Sequence, residues 1–226
     1  MRILALFGAS LLVILATFQG YIEKQDWFVI EHVSVKGNFQ YTSDTQLLNF
    51  YNNLLGESLL SHSLDNLLVL ATTPEWVKSA SVRKIWPNSI QVYAVEHIPL
   101  AVWRDRNLIT SNGQIITPIK VPNLPLPRLF GPEGTHKIVL EQFELVSQVL
   151  SSSDLRAVNL NLEARGAWSI TLSNDLIVRL GRDDVLERLQ RFIAVYKSDL
   201  SGRINKIVSI DARYPHGVSV EWKKEI

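Results

Sequence analysis

The chain has 226 residues, carries 23 Lys and Arg against 22 Asp and Glu, and contains no cysteine. The length holds one large folded domain or two small ones, and the balanced charge offers no field for nucleic acid or for a strongly charged partner. Without cysteine there is no thiol nucleophile, iron–sulfur cluster, cysteine-based zinc site or disulfide.

Residues 3–22 run from Ile3 to Ile22 without one formal charge. A helix of about 20 residues rising about 1.5 Å each spans the roughly 30 Å hydrocarbon core of a bilayer. A secretory signal peptide is the competing reading, but its apolar region is usually about 7–15 residues and ends at small residues. Here the candidate exit, Gly20, has bulky Phe18 two residues before it. The expectation is therefore an uncleaved transmembrane helix. Residues 1–2, with Arg2, lie before it and the net-acidic Glu23-Lys24-Gln25-Asp26 after it, which keeps the N-terminus cytoplasmic. Tyr21 and Trp27 stand where an aromatic belt would anchor the far interface.

Phe28 to Lys36 is rich in β-branched residues and stops at Gly37-Asn38, so it reads as a strand. Thr42-Ser43-Asp44 can cap a helix with Leu47, Leu48, Tyr51, Leu54 and Leu55 on one stripe, ended by Gly56. A second short helix opens at Ser63, with Leu64, Leu67, Leu68 and Ala71 expected to face inward, and ends before Pro74. Ala80 to Trp86 and Ser89 to Glu96 then form a hairpin around Pro87-Asn88. The result is a β-α-α-β-β module, three strands with two helices on one face.

From Pro99 onward the pattern is more strand-rich. Ala101-Val102-Trp103 and Leu108-Ile109-Thr110 flank a charged turn, and Asn112-Gly113 is the pair favoured in a type I′ hairpin turn before Ile115-Ile116. Residues 118–127 contain four prolines and predict an irregular crossing. A helix follows from about His136 to Ser151, with Val139, Leu140, Phe143, Val146 and Leu150 on one face. Strands are expected at Ala157 to Leu162, with Val158, Leu160 and Leu162 on one side, at Trp168 to Leu172, and at Leu176 to Leu180. The last helix has Asp183 or Asp184 as cap, a stripe of Val185, Leu186, Leu189, Phe192, Ile193 and Tyr196, and ion-pair spacing for Asp184–Arg188 and Glu187–Arg191. Strands at Ile204 to Arg213 and Val218 to Trp222, joined by Tyr214-Pro215-His216-Gly217, close the fold.

Few residues suggest chemistry. His32, His62, His97, His136 and His216 are scattered, so no local pair is set up to hold a metal. Ser151-Ser152-Ser153-Asp154 follows a helix and lacks a strand–turn–helix elbow. Asp183-Asp184 sits at a helix start beside Arg182, and Gly131-Pro132-Glu133-Gly134 lacks the spacing of a phosphate loop. Arg83-Lys84 and Lys223-Lys224 are too short for a nucleic-acid surface. No catalytic, cofactor or metal site and no small-molecule substrate is expected. The final strand, if it lies at a sheet edge, is either a receptor for an added strand or an ordinary edge guarded by Glu221, Lys223 and Lys224.

The β-α-α-β-β unit just past an apolar anchor resembles a POTRA (polypeptide transport-associated) domain. The run from Glu75 to Asn88, continuing through Val95-Glu96-His97-Ile98-Pro99, is similar to the FtsQ/DivIB family of bacterial cell-division proteins. So are Leu129-Phe130-Gly131-Pro132-Glu133-Gly134, Leu172-Ser173-Asn174-Asp175, Leu180-Gly181-Arg182-Asp183 and Asp211-Ala212-Arg213-Tyr214, in that order. The resemblance covers roughly residues 27 to 222. It departs from the family pattern in the short stretch before the anchor and in stopping at Ile226, where many members continue past the last strand, a continuation expected to be dispensable.

The resemblance implies an α+β fold: the transmembrane helix at 3–22, a POTRA domain at 28–97, and a β-rich domain at 98–222 with a largely antiparallel sheet and two main helices, leaving 223–226 as the end. It implies a non-enzymatic divisome scaffold of the inner membrane and septum, its bulk periplasmic, holding FtsB and FtsL. Carried over by position, the contacts for those partners are Arg213, Tyr214, Gly217, Val218, Ser219, Val220 and Trp222, with Val82 and Lys84 on a recruitment face of the POTRA domain. The alternatives are a membrane-anchored envelope enzyme, such as a cell-wall hydrolase, and a POTRA-type chaperone of outer-membrane assembly.

Overall fold

The computed structural model describes residues 28–119, 121 and 123–223. The expected transmembrane helix, the cytoplasmic end, Tyr21 and Trp27 lie outside the described residues, as do residues 224–226. Among the described residues no helix is long and apolar enough to cross a membrane. The chain divides into two units between His97 and Ile98.

The first unit contains β1 (His32–Lys36), α1 (Asp44–Tyr51), α2 (Leu64–Ala71), β2 (Val77–Ile85) and β3 (Ser89–Glu96). The sheet order is β1-β3-β2, with β3 central, parallel to β1 and antiparallel to β2. The first strand is shorter than its β-branched sequence suggests: before His32 the chain makes one isolated bridge, Val29 with Ser58. Both helix starts follow from capping chemistry. The Ser43 hydroxyl accepts from the Gln46 N–H at 3.2 Å while the Gln46 side chain accepts from the Ser43 N–H, and Ser63 accepts from the Asn66 N–H at 3.1 Å.

Leu47, Tyr51, Leu54, Leu67 and Ala71 pack over Ile90, Val92 and Ala94. The buried Tyr51 hydroxyl donates to the Ala71 carbonyl at 2.8 Å, and burial pushes its pKa up to about 12. The Glu96 carboxylate accepts from the backbone N–H groups of Gln40 (2.7 Å), Tyr41 and Thr42 (2.6 Å), which ties the loop before α1 to the end of β3.

Two expected apolar stripes are narrower than their spacing suggests. α1 ends at Tyr51 and tightens into a short turn over Asn52–Leu54, which leaves Leu55 exposed. On α2, Leu67 and Ala71 are buried, but Leu64 and Leu68 are 54% and 40% exposed. The four positions span an arc of about 100°, and a two-turn helix lying on a small sheet covers only part of it.

The second unit contains β4 (Pro99–Trp103), β5 (Asn107–Thr110), β6 (Ile115–Ile116), β7 (Arg128–Phe130), α3 (His136–Leu150), β8 (Ala157–Leu162), β9 (Trp168–Leu172), β10 (Ile177–Gly181), α4 (Val185–Val195), β11 (Ile207–Asp211) and β12 (Ser219–Trp222). The strands form one sheet in the order β12-β11-β10-β9-β8-β7-β4-β5-β6. The sheet is mixed: β4–β7, β7–β8 and β10–β11 pair in parallel, and the other neighbours are antiparallel. Antiparallel pairs are the majority, as expected, and two of the three parallel ones have a simple cause: α3 and α4 are crossovers, joining β7 to β8 and β10 to β11. Both helices press Val139, Val146, Leu150, Leu189 and Phe192 onto Leu129, Leu160, Ile170, Val178 and Ile210.

Other local expectations shift. The hairpin after β5 is not type I′: Gly113 has φ +72 but Asn112 does not have positive φ, and the Gly113 N–H bonds back to the Thr110 carbonyl at 2.8 Å. That is a turn followed by a left-handed glycine, the three-residue alternative. In β8 a register shift between Ala157 and Asn159 breaks the expected alternation, so Ala157 and Leu160 are buried while Val158 and Leu162 are only partly so. Asp184 precedes α4 in a left-handed conformation (φ 53) and makes no side-chain cap bond. Arg188 reaches the Leu180 carbonyl (2.8 Å) in place of Asp184, whereas Glu187–Arg191 forms at 3.0 Å. β11 begins at Ile207 because Ser201–Lys206 is still helical.

Candidate functional site

β12 ends the sheet order, so its far side has no strand neighbour among the described residues. Its backbone orientation follows from two hydrogen bonds. The Ala212 N–H donates to the Arg179 carbonyl of β10 (2.9 Å), so alternation turns Ile210 toward β10 and Ser209 and Asp211 toward β12. The Lys223 N–H donates to the Lys206 carbonyl (2.7 Å), so Glu221 and Ser219 face β11 while Val220 and Trp222 turn their N–H and C=O groups outward. The register pairs Ser209 with Glu221 and Asp211 with Ser219 and agrees with this assignment.

The side chains of β12 divide between two faces. Val218 and Val220 lean on the core. Trp222 follows on the same side but remains 45% exposed, with the Arg203 guanidinium 6.0 Å from its ring centre. On the other face a polar chain crosses three strands: Arg179 donates to the Ser209 hydroxyl (2.9 Å), which donates to the Glu221 carboxylate (2.6 Å).

The turn before β12 is held from two directions. Arg213 forks onto Asp211, Nε to Oδ1 at 2.9 Å and Nη2 to Oδ2 at 2.5 Å. These hydrogen bonds, opposed by partial burial, hold the Asp211 carboxyl below its ordinary range. The Tyr214 ring is 55% exposed while its carbonyl accepts from Arg191 Nη1 (2.5 Å), and Arg191 also pairs with Glu187 on α4. Gly181, at φ +79, lets Arg188 and Arg213 pass: a Cβ there would lie 2.5 Å from Arg188 Nη1 and 3.0 Å from Arg213 Cγ. A Cβ on Gly217 would meet nothing within 4 Å.

The fold thus brings Arg213, Tyr214, Gly217, Val218, Ser219, Val220 and Trp222 together along one turn and one sheet edge. Val82 and Lys84 lie in the other unit on β2, an edge strand of the small sheet. Val82 packs against that unit's core, and Lys84 Nζ donates to the carbonyls of Leu59 (2.6 Å) and His62. Neither side chain is free. Arg179, Arg191, Arg203 and Ser209 support the edge from distant positions, and only the Glu187–Arg191 spacing announced any of them.

The residues weighed for chemistry do not converge. The hydroxyls of Ser151, Ser152 and Ser153 each donate to a carbonyl three residues back (2.6–3.0 Å). His97 and His136 each bury an Nδ1 without a hydrogen-bond partner. Among the described residues, no group of three or more His, Asp or Glu is placed to hold a metal ion.

The family described as "Cell division protein FtsQ/DivIB, C-terminal" matches residues 101–213, and the "POTRA domain, FtsQ-type" matches residues 28–97. Among curated proteins named "Cell division protein FtsQ", that of Coxiella burnetii is 35% identical over 150 residues, 66% of this chain and 61% of its own length. That of Hahella chejuensis is 31% identical over 195 residues, 86% of this chain and 70% of its own. That of Escherichia coli is 33% identical over 154 residues, 65% of this chain and 55% of its own. The matched part therefore spans less than two thirds of the Coxiella and Escherichia proteins. The C-terminal match stops at Arg213, so β12 follows it.

Proposed function

Because the chain belongs to the FtsQ/DivIB family of cell-division proteins, we propose that it is a non-enzymatic scaffold of the divisome. Residues 3–22 would anchor it in the inner membrane with the bulk periplasmic, and it would act at the septum by holding FtsB and, with it, FtsL. β12 is the receptor. An extended partner segment adds to it as one more strand, its backbone pairing with the outward groups of Val220 and Trp222. Tyr214 and Trp222 supply exposed aromatic area beside that edge, and Arg213, its fork held by Asp211, stiffens the turn that presents Tyr214. The β2 edge, carrying Val82 and Lys84, is a second docking place that works through its backbone, since both side chains are engaged within the unit.

The observation that supports this reading is the open backbone of β12 between two exposed aromatics. Tyr214→Ala and Trp222→Ala are each expected to weaken FtsB capture by about 2 kcal/mol or more, roughly thirtyfold, with the melting temperature unchanged. Loss of folding would assign these rings to the core, and unaltered capture would remove the edge from the mechanism.

A further inference from the structure

The first unit exposes large apolar side chains at the end where the chain enters it. Leu60 and Leu64 are exposed in the turn before α2 and at its start, and Ile85 and Trp86 at the tip of the β2–β3 hairpin; Trp86 is 55% exposed. Phe28 stands at this end. Its carbonyl accepts from the Leu59 N–H at 2.6 Å, its ring meets Trp86 edge-on at 5.6 Å, and Lys84 Nζ joins the hairpin to the Leu59 carbonyl. The chain therefore enters beside Leu60 and Trp86.

The occupant of this surface follows from the chain before Phe28. Six residue steps separate Phe28 from Ile22, the last residue of the uncharged apolar run. At about 3.3–3.6 Å each, even full extension gives only about 20 Å. The headgroup layer on one side of a bilayer is itself about 5–8 Å thick. On the reading that residues 3–22 are a membrane anchor, this end of the unit is held within one short tether of the lipid surface.

We propose that the Leu60–Leu64–Trp86 end of the first unit rests on the bilayer, with Trp86 at headgroup depth and the leucines against the upper acyl chains. An indole is suited to that depth, since it is apolar with a single donor. The acidic groups here are engaged in part: Glu31 accepts from Asn88 at 2.6 Å and Glu57 contacts His62 at 2.5 Å, while Asp65, in the first turn of α2, is exposed and must stay on the water side of the headgroups. Lys84 gives its ammonium to the Leu59 and His62 carbonyls and Arg83 lies over the Tyr93 ring, so the contact rests on apolar burial and does not require anionic lipid. It fixes the orientation of the unit on the membrane.

The chain lacks cysteine, so a single introduced thiol labels one position. The full chain is reconstituted into phosphatidylcholine–phosphatidylethanolamine vesicles with a nitroxide at Leu60→Cys, Leu64→Cys or Trp86→Cys, and at Ser81→Cys as the exposed control on the sheet. Collision with oxygen reports lipid, and collision with a water-soluble nickel chelate reports water. The proposal expects high oxygen and low nickel access at the three sites, the reverse at Ser81→Cys, and no change on adding phosphatidylglycerol. Nickel access at all four sites, in protein that floats with the vesicles after an alkaline wash, overturns the contact and leaves the anchor standing. Protein that fails to float overturns both. Low access to both reagents means that a protein or a second copy covers the surface, and it too overturns the lipid assignment.

Discussion

Asp211 shows how one side chain shapes the candidate edge. Its carboxylate takes both branches of the Arg213 fork, and those hydrogen bonds lower its pKa. A carboxyl whose folded pKa lies below its unfolded value of about 3.9 contributes stability that is present above that pH and is lost as pH falls through the folded value. Arg213 is more than half exposed, so solvent screens the pair and its contribution is at most about 1 kcal/mol. Asp211→Asn should therefore lower stability slightly at pH 7, and the gap to the unaltered protein should close below about pH 4. Denaturant titrations at pH 7, 5 and 3 read this out, and a gap that stays constant across that range would mean the ion pair contributes nothing. Arg191 acts at the same scale by gripping the Tyr214 carbonyl, which fixes the turn while leaving the ring free.

Along β12, neighbouring residues have opposite duties. Glu221 turns its backbone toward β11 and its carboxylate to Ser209, whereas Val220 turns its N–H away from the sheet. Proline removes one backbone donor, and edge strands tolerate it where that donor faces outward. Val220→Pro should keep the melting temperature within a few degrees yet lower strand capture at least tenfold. Glu221→Pro should cost about 1–3 kcal/mol of stability through a lost ladder bond. Equal destabilisation by the two prolines, measured by thermal melts beside a capture assay, would contradict the inside–outside assignment.

For the whole molecule, the proposed scaffold role depends on the tether proposed at residues 3–22. A tether that confines scaffold and partner to one membrane raises their effective concentration without adding a contact. Removing residues 1–27 should leave affinity for a soluble FtsB segment unchanged within about twofold, while recruitment to partner-bearing vesicles drops by about a hundredfold. A comparable loss in solution would place part of the binding surface in the removed segment. The membrane-facing end proposed for the first unit adds an orientational constraint to the same tether.

Local chemistry was readable in the sequence. Ser43 and Ser63 begin their helices because a hydroxyl one step ahead of a helix satisfies orphan N–H groups whatever surrounds it, and Pro118, Pro125 and Pro127 lie outside the strands. The short motifs that begin at Leu129, Leu172, Leu180 and Asp211 carried the family, and the resemblance carried the residues of the candidate edge. Long-range geometry was not readable. Nothing local to α3 or α4 states that each joins parallel strands, and Leu64 and Leu68 carry helix spacing whether or not a sheet reaches them. The partners of Tyr214 and Glu221 lie 23 and 12 residues away, set by the packing of α4 and the pairing of β11. Capping and turn formation depend on a few bonds between chain neighbours, so the sequence alone determines them; which edge stays open depends on the order in which distant strands pair, and only the tertiary structure decides that.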